Sequence, residues 1–159
     1  MGTSFYCERA SGHRALRRAR NSIPGQVYLV TFNTYQRQEI FRGYEHAVCL
    51  ARCLYGLSLW RNTQLLAWVL MPDHMHLLVR VSEKDSLQAV VQKLKSNTAR
   101  EIKSFDMDID QVWATAFHDR ALRKDEDIRD VARYIVLNPV RAGLVCRIGD
   151  YPYWDAVFI

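Results

Sequence analysis

Two histidines lie two residues apart in an apolar stretch, VLMPDHMHLLV at residues 69–79. Side chains two apart in a β-strand project from the same face, so His74 and His76 are predicted to lie side by side. Two imidazoles in that position form half of a site for a divalent metal ion. Asp73, in the turn before them, is placed to orient one ring. The alternative is a pair of structural histidines hydrogen-bonded at a sheet edge, because His-x-His is also a common chance pattern.

Other histidine or cysteine motifs do not fit this sequence. A two-histidine phosphoesterase needs a second His-x-Thr or His-x-Ser, but the remaining histidines are followed two residues on by Ala, Val and Arg (His13, His46, His118). The HExxH motif of metalloproteases is missing from the sequence. The cysteines form no CxxC pair and no zinc set (Cys7, Cys49, Cys53, Cys146). The sequence therefore predicts a metal site that a distant residue completes.

A second candidate for chemistry lies in ARYIVLNPVRAGLV, at residues 132–145. Tyr134 and Asn138 are one i, i+4 step apart, on the flank of the predicted buried stripe of a helix. A tyrosine there could attack a phosphorus atom, and the amide oxygen of Asn138 could bind a metal ion. The alternatives are an amphipathic tyrosine at the core boundary and an asparagine that ends the helix before Pro139.

The elements that must position these residues follow an α+β order. Hydrophobic periodicity and turn signals predict strand, helix, two strands in a hairpin, helix, strand and helix (24–34, 44–56, 65–71 and 74–81, 86–103, 112–122, 125–138). This order predicts a ferredoxin-like sandwich, an antiparallel sheet with helices on one face. We expect one domain at 23–159, with an aromatic C-terminal tail packed back onto it, and a basic N-terminal arm at 1–22.

Charge is concentrated at the start of the chain. Residues 1–20 hold five arginines against one glutamate, in a protein whose net charge is +5. Such an arm on a near-neutral body favours a polyanion such as nucleic acid as the partner, or it is a solvated tail. No stretch reaches the roughly 18 apolar residues of a membrane span, and the start has no signal-peptide pattern, so we expect a cytoplasmic protein.

Four segments together resemble the REP-associated tyrosine transposases, bacterial relatives of the single-tyrosine insertion-sequence transposases in the HUH nuclease superfamily. They are VLMPDHMHLLV, VWATAFHDRALR, YIVLNPVRAGLV and DYPYWDAV. The likeness runs from about Ile23 to the C-terminus. It implies that His74 and His76 bind the metal ion and that Tyr134 is the nucleophile. In the insertion-sequence relatives the residue four after the tyrosine is a glutamine that supplies a third ligand. Here it is Asn138, with His118 as a second choice.

The resemblance also implies an activity. Family members act on single-stranded hairpins formed by repetitive extragenic palindromes, so we expect a metal-dependent DNA nuclease and strand transferase that forms a 5′-phosphotyrosine. The cofactor is Mg²⁺ or Mn²⁺, and because imidazole suits Mg²⁺ poorly, we expect Mn²⁺ to work at least as well. We expect a monomer, with a dimer as the alternative. The predicted contacts to the DNA backbone are basic side chains of the arm and the second helix (Arg14, Arg17, Arg18, Arg20, Lys93, Lys95, Arg100, Lys103).

Two other classes of protein remain open from the sequence. One is a nucleic-acid-binding module on the same fold without catalysis, such as a domesticated regulator. The other is a protein with a structural zinc ion, which removal of the metal would unfold.

Overall fold

The structure is a computed structural model that describes residues 22–158. The arginines predicted to form the DNA-binding arm lie outside the described residues. The elements are β1 (Val27–Asn33), α1 (Tyr44–Gly56), β2 (Gln64–Met71), β3 (His74–Arg80), α2 (Leu87–Phe105), β4 (His118–Ala121), α3 (Ile128–Val136), α4 (Asn138–Arg141) and β5 (Trp154–Ala156). Short 3₁₀ helices occur at Tyr35–Arg37, Ile40–Arg42, Ser58–Arg61 and Ile148–Asp150.

The described strands form one antiparallel sheet in the order β4-β1-β3-β2-β5. β1 and β2 are connected through α1 and leave room between them for β3, which pairs with both. This split arrangement, with β4 on the far side of β1, is the ferredoxin-like topology. The predicted fold class is confirmed. The strand that carries the two histidines is the central strand of the sheet.

The sheet is buried on both faces, because its side chains alternate between two apolar clusters. One cluster joins one face to α1 and α2 and contains Phe32, Met75 and Leu77. The other joins the opposite face to α3 and contains Val69 and Leu78. The expectation of helices on a single face is therefore wrong. α1 and α2 pack on one face, whereas α3 packs on the other, which carries His74 and His76 and is called the histidine face below. The apolar residues Ala132, Ile135 and Val136 of α3 cover this face.

The segment 112–122 is a strand only in its second half. Trp113 is buried, and its indole nitrogen donates to Thr98 Oγ1 of α2 at 2.9 Å. The carbonyls of Ala114, Thr115 and Ala116 accept hydrogen bonds from the Lys95 ammonium group. The first half contacts β1 only at its end, where the Ala114 amide donates to the carbonyl of Asn33 at 2.9 Å, and regular pairing with β1 starts at His118.

The helix predicted at 125–138 is shorter and is followed by a separate turn of helix. Asp127 caps α3 by accepting a hydrogen bond from the Arg129 amide at 2.8 Å. α3 ends at Val136, and Asn138 begins α4 rather than ending α3. The reason is Pro139, which has no N–H to donate to the carbonyl of Ile135. Tyr134 and Asn138 consequently lie on two different helices.

The aromatic C-terminal tail packs against β2, as predicted. β5 pairs with Ala67–Val69, and the Tyr151 hydroxyl donates to the carbonyl of Leu70 at 2.6 Å. The amide of Leu70 donates to the carbonyl of Tyr153 at 2.9 Å. Among the helices of residues 22–158, none has the length and apolar character needed to cross a membrane.

Candidate active site

The two histidines lie side by side on one face of β3. Their ring centroids are 4.8 Å apart and the rings are nearly perpendicular. The turn before them is held by three hydrogen bonds from two residues. Thr34 donates to the carbonyl of Asp73 through its amide at 2.9 Å and its hydroxyl at 3.0 Å, and the Phe41 amide donates to the carbonyl of Pro72 at 3.0 Å. These contacts make the end of the hairpin a rigid support for the pair.

Each histidine uses one ring nitrogen for a neighbouring side chain. His74 Nδ1 lies 2.6 Å from Asp73 Oδ1, as the sequence predicted for Asp73. His76 Nδ1 lies 2.8 Å from the Thr31 hydroxyl, which is opposite it on β1. Among the described residues, neither Nε2 atom has a hydrogen-bond partner. This is how metal-binding histidines are held in other proteins, with one nitrogen bound and the other left for the ion.

The environment keeps His76 uncharged. Burial lowers the pKa of His76 to about 3, with further contributions from the charges of His74, Arg141 and Arg37. A neutral imidazole is the form that binds a metal ion. The pair therefore fits a divalent metal ion of the Mn²⁺ or Zn²⁺ type better than a purely oxygen-seeking one.

Arg37 supports the pair from the turn after β1. Its Nη1 donates to Asn33 Oδ1 at 2.9 Å and lies 3.3 Å from Asp73 Oδ2. Arg37 and its neighbour Gln36 both have positive φ, of 58° and 51°, which is unfavourable for residues other than glycine. Such strain persists where the surroundings impose it, and here it places the guanidinium group beside the carboxylate that orients His74.

Tyr134 lies on α3, the helix that covers the histidine face. Its side chain is 60% exposed, so solvent and a large substrate can reach the phenol. The guanidinium carbon of Arg141 lies 4.0 Å from the centroid of the Tyr134 ring. The sequence placed Tyr134 at the edge of the buried stripe, and its neighbours Ile135 and Val136 are indeed buried.

The side-chain amide of Asn138 has a hydrogen-bond partner for its oxygen but none for its nitrogen among the described residues. Its Oδ1 accepts from Arg141 Nη2 at 2.5 Å, whereas its Nδ2 is buried without a partner among the described residues. A buried amide nitrogen in this state is costly. Turning the amide over would place its oxygen on the buried side, but the oxygen would then give up its bond to Arg141.

His118 does not complete the metal site. It lies opposite Thr31 on β4, so the whole of β1 separates it from His76. No three His, Cys, Asp or Glu side chains within residues 22–158 are grouped closely enough to bind one ion. The amide oxygen of Asn138 stays a prediction as the third ligand.

The basic residues predicted on α2 lie on the layer opposite the histidines. Lys95 is engaged there: its ammonium group donates to the carbonyls of Ala114, Thr115 and Ala116 at 2.5, 3.1 and 3.4 Å, and burial lowers its pKa. Arg100 donates to Asn97 Oδ1. Lys93 and Lys103 are exposed. DNA contacts by these side chains stay a prediction, and Lys95 would have to leave its carbonyls to make one.

Three residues that support the site were not predicted from the sequence. The contact of Thr31 with His76 depends on how β1 pairs with β3, and nothing in the sequence around Thr31 indicates it. Arg37 depends on an unusual backbone turn. Arg141 had a signal, since it lies three residues after Asn138 on a short helical turn and so can reach back toward it.

The comparison of this sequence with known families defines the class of protein: a transposase, an enzyme that cleaves and joins DNA. The chain belongs to the family described as "Transposase IS200 like", whose family model matches residues 23–137. The match includes both histidines and Tyr134, and it confirms the resemblance seen in the sequence.

Individual relatives are more specific. The chain is 27% identical over 134 residues to the REP-associated tyrosine transposase of Escherichia coli K12, covering 82% of this chain and 76% of that protein. It is 30% identical over 94 residues to a putative REP-associated tyrosine transposase of Haemophilus influenzae, covering 53% of each.

Two solved structures share the fold. One is a REP-associated tyrosine transposase bound to a REP hairpin, with a TM-score of 0.67, 23% identity, and coverage of 91% of this chain and 82% of that one. The other is a putative transposase from Deinococcus radiodurans R1, with a TM-score of 0.56, 21% identity, and coverage of 75% and 95%.

Proposed function

We propose that this protein cleaves and rejoins single-stranded DNA next to a palindromic hairpin, with Tyr134 as nucleophile and a divalent metal ion at His74 and His76. The observation that carries the proposal is the pairing of two features on one face of the sheet. The histidines have their Nδ1 atoms bound and their Nε2 atoms free, and the helix packed on that face presents an exposed tyrosine.

In the proposed step, the phenol oxygen of Tyr134 forms a bond to the scissile phosphorus. The bond from phosphorus to the 3′-oxygen of the preceding nucleotide breaks, and that oxygen leaves as a 3′-hydroxyl after taking up a proton. The product is a 5′-phosphotyrosine, which keeps the energy of the phosphodiester and can react with another 3′-hydroxyl. A divalent ion, when bound, supplies polarisation of the phosphate oxygens.

The residues of this chain have distinct roles in that step. His74 and His76 would hold the ion, with Asn138 as the third ligand, and Asp73 and Thr31 fix the two rings. The phenol is exposed because the attacked phosphate belongs to a polymer too large for an enclosed pocket. A flexible single strand can approach the site on the sheet face, whereas a continuous duplex presents its phosphates less accessibly.

The proposed substrate is a hairpin of the repetitive extragenic palindrome type. The support is the similarity to the REP-associated relatives, one of which has a solved structure with a REP hairpin. Arg14, Arg17, Arg18 and Arg20, together with the exposed lysines of α2, are the proposed contacts to the DNA backbone. A bacterial chromosome as substrate implies action in the cytoplasm, and we propose that the protein acts as a monomer.

The test is a covalent-adduct assay. The full chain is incubated with a hairpin carrying labelled single-stranded flanks and Mn²⁺, and products are separated on a denaturing gel. We expect a protein–DNA band with the wild type and with Tyr44→Phe, an exposed tyrosine on the opposite layer, but none with Tyr134→Phe. Hairpin binding without any covalent band from the wild type would instead support the non-catalytic binding module.

A further inference from the structure

Arg141 connects the tyrosine helix to the other members of the candidate site. Its guanidinium group stacks on the Tyr134 ring, with 4.0 Å from the guanidinium carbon to the ring centroid. The same group donates through Nη2 to the backbone carbonyl of Tyr134 and to Asn138 Oδ1, both at 2.5 Å. Among the described residues, no other charged side chain is found over that ring.

We propose that Arg141 is a positioning residue that holds the phenol of Tyr134 in one orientation for attack. The inference rests on the proposed function, because it assumes that Tyr134 is the nucleophile. Arg141 acts through Tyr134 and need not touch the DNA.

The need for such a residue follows from the exposure of Tyr134. An exposed tyrosine on a short helix has few neighbours to fix its χ1 and χ2 angles, whereas nucleophilic attack needs the oxygen within about 3–3.5 Å of phosphorus. A planar guanidinium group against one ring face removes the orientations in which the ring would occupy that space. One exposed cation–π contact favours the held orientation by about two- to fivefold.

The two hydrogen bonds of Arg141 suit it to positioning the Tyr134 ring. Bonds to a backbone carbonyl of α3 and to the first side chain of α4 tie the guanidinium group to both helices. Its place over the ring is therefore fixed by the junction between them. Lysine has the charge but not the planar group with several donors, so it cannot stack on the ring and bind two oxygens at once.

Arg141 could instead serve only the fold of the helix junction, or it could bind a DNA phosphate directly. A structural role predicts lower stability with activity restored once the folded fraction is equal. A phosphate contact predicts weaker hairpin binding by the same factor as any loss of rate. Positioning predicts slower covalent chemistry with hairpin binding unchanged.

The first experiment measures these quantities in the full chain with Mn²⁺ and a synthetic hairpin. Single-turnover formation of the phosphotyrosine adduct and hairpin Kd are compared for wild type, Arg141→Gln and Arg141→Lys. Arg133→Gln is the matched control, since Arg133 is an exposed arginine of α3 paired with Asp130 at 3.2 Å. We expect both Arg141 variants to react about two- to fivefold more slowly, with hairpin Kd unchanged and Arg133→Gln like wild type. A wild-type rate in Arg141→Gln, or a Kd weakened as much as the rate, overturns the proposal.

The second experiment uses the protein without metal or DNA. Protons of the Arg141 side chain that lie over an aromatic ring are shifted upfield in the NMR spectrum. We expect this shift in wild type and Tyr134→Phe and its loss in Tyr134→Leu. Without that shift in wild type, the inference fails even if the enzyme cleaves. If the shift is present but the wild type forms no adduct, the proposed function fails while the stack is established.

Discussion

The carboxylate of Asp73 bridges His74 and Arg37. Asp73 Oδ1 lies 2.6 Å from His74 Nδ1, and its Oδ2 lies 3.3 Å from Arg37 Nη1. The imidazole is thereby fixed in the tautomer that leaves Nε2 with a lone pair. The orientation of a proposed metal ligand thus depends on a residue in the turn and on a guanidinium group from a strained loop.

Replacing Asp73 is expected to weaken metal binding without unfolding the protein. Asp73→Ala should lower Mn²⁺ affinity by about 10–100-fold, the usual loss when a partner that orients a metal ligand is removed. Asp73→Asn, which can still accept through its amide oxygen, should lose less. Isothermal titration of the metal-free protein with Mn²⁺ measures both, with Asp110→Asn as an exposed control. Equal affinity in Asp73→Ala and wild type would refute the role of Asp73.

Replacing Asn138 shows whether its side chain binds the metal ion or only accepts the hydrogen bond from Arg141. Asn138→Ala removes the proposed third ligand together with the buried, unsatisfied Nδ2. We expect Mn²⁺ affinity to fall by about tenfold or more, while the free energy of unfolding of the metal-free protein stays within about 1 kcal/mol of wild type. Metal titration and urea unfolding measure the two effects. Undiminished Mn²⁺ affinity would mean that Asn138 serves Arg141 alone.

Lys95 and Lys93 should behave differently although both were predicted to contact DNA. Lys95→Met removes the hydrogen bonds that hold the carbonyls of residues 114–116, so we expect a loss of about 1–3 kcal/mol in the free energy of unfolding. Lys93→Met, at an exposed position on the same helix, should lose less than about 0.5 kcal/mol. Urea unfolding measures both. A hairpin Kd weakened only in Lys93→Met would assign the DNA contact to Lys93.

The arginines at the start of the chain should contribute a salt-dependent part of DNA affinity. Changing Arg14, Arg17, Arg18 and Arg20 to alanine in the full chain should weaken hairpin binding at low salt. The slope of log K against log salt concentration should also fall by about 0.7 to 0.9 for each phosphate that the arginines had neutralised. Fluorescence anisotropy over a range of KCl concentrations measures the slope. An unchanged slope would show that the segment makes no ionic contact with the hairpin.

Tyr151 gives a pH dependence with a defined sign. Burial and the nearby Tyr153 raise the pKa of Tyr151 to about 12, above the value of about 10 for an unfolded tyrosine. The contribution to stability is complete below pH 10 and is lost as pH rises from 10 toward 12, since the unfolded state ionises first. Tyr151→Phe should be less stable at pH 8, by about 1 kcal/mol, and should lose less on going to pH 11. Parallel pH curves for the two proteins would contradict this.

The fold was predictable because local patterns decide it. The tight hairpin at Pro72–Asp73 and the alternation along β3 fix which side chains face α2 and which face α3. The layer of α3 was not predictable from its own sequence, since an amphipathic stripe shows that a helix packs but not on which face. Thr31 and Arg141 were missed for a related reason: one depends on strand register and the other on the direction of a helix after Pro139.

The C-terminal tail is bound to β2 beside the histidine hairpin, so a truncation that removes the tail is expected to affect the candidate site. Leu70, one residue before the partner of His74 in β2, has its amide and carbonyl bound by Tyr153 and Tyr151. A stop codon introduced just before Asp150 would leave every described α-helix intact but would open the edge of the sheet beside the histidine hairpin. Loss of the segment from Asp150 onward is therefore expected to abolish the proposed cleavage, so an intact set of α-helices is a poor sign of an active copy.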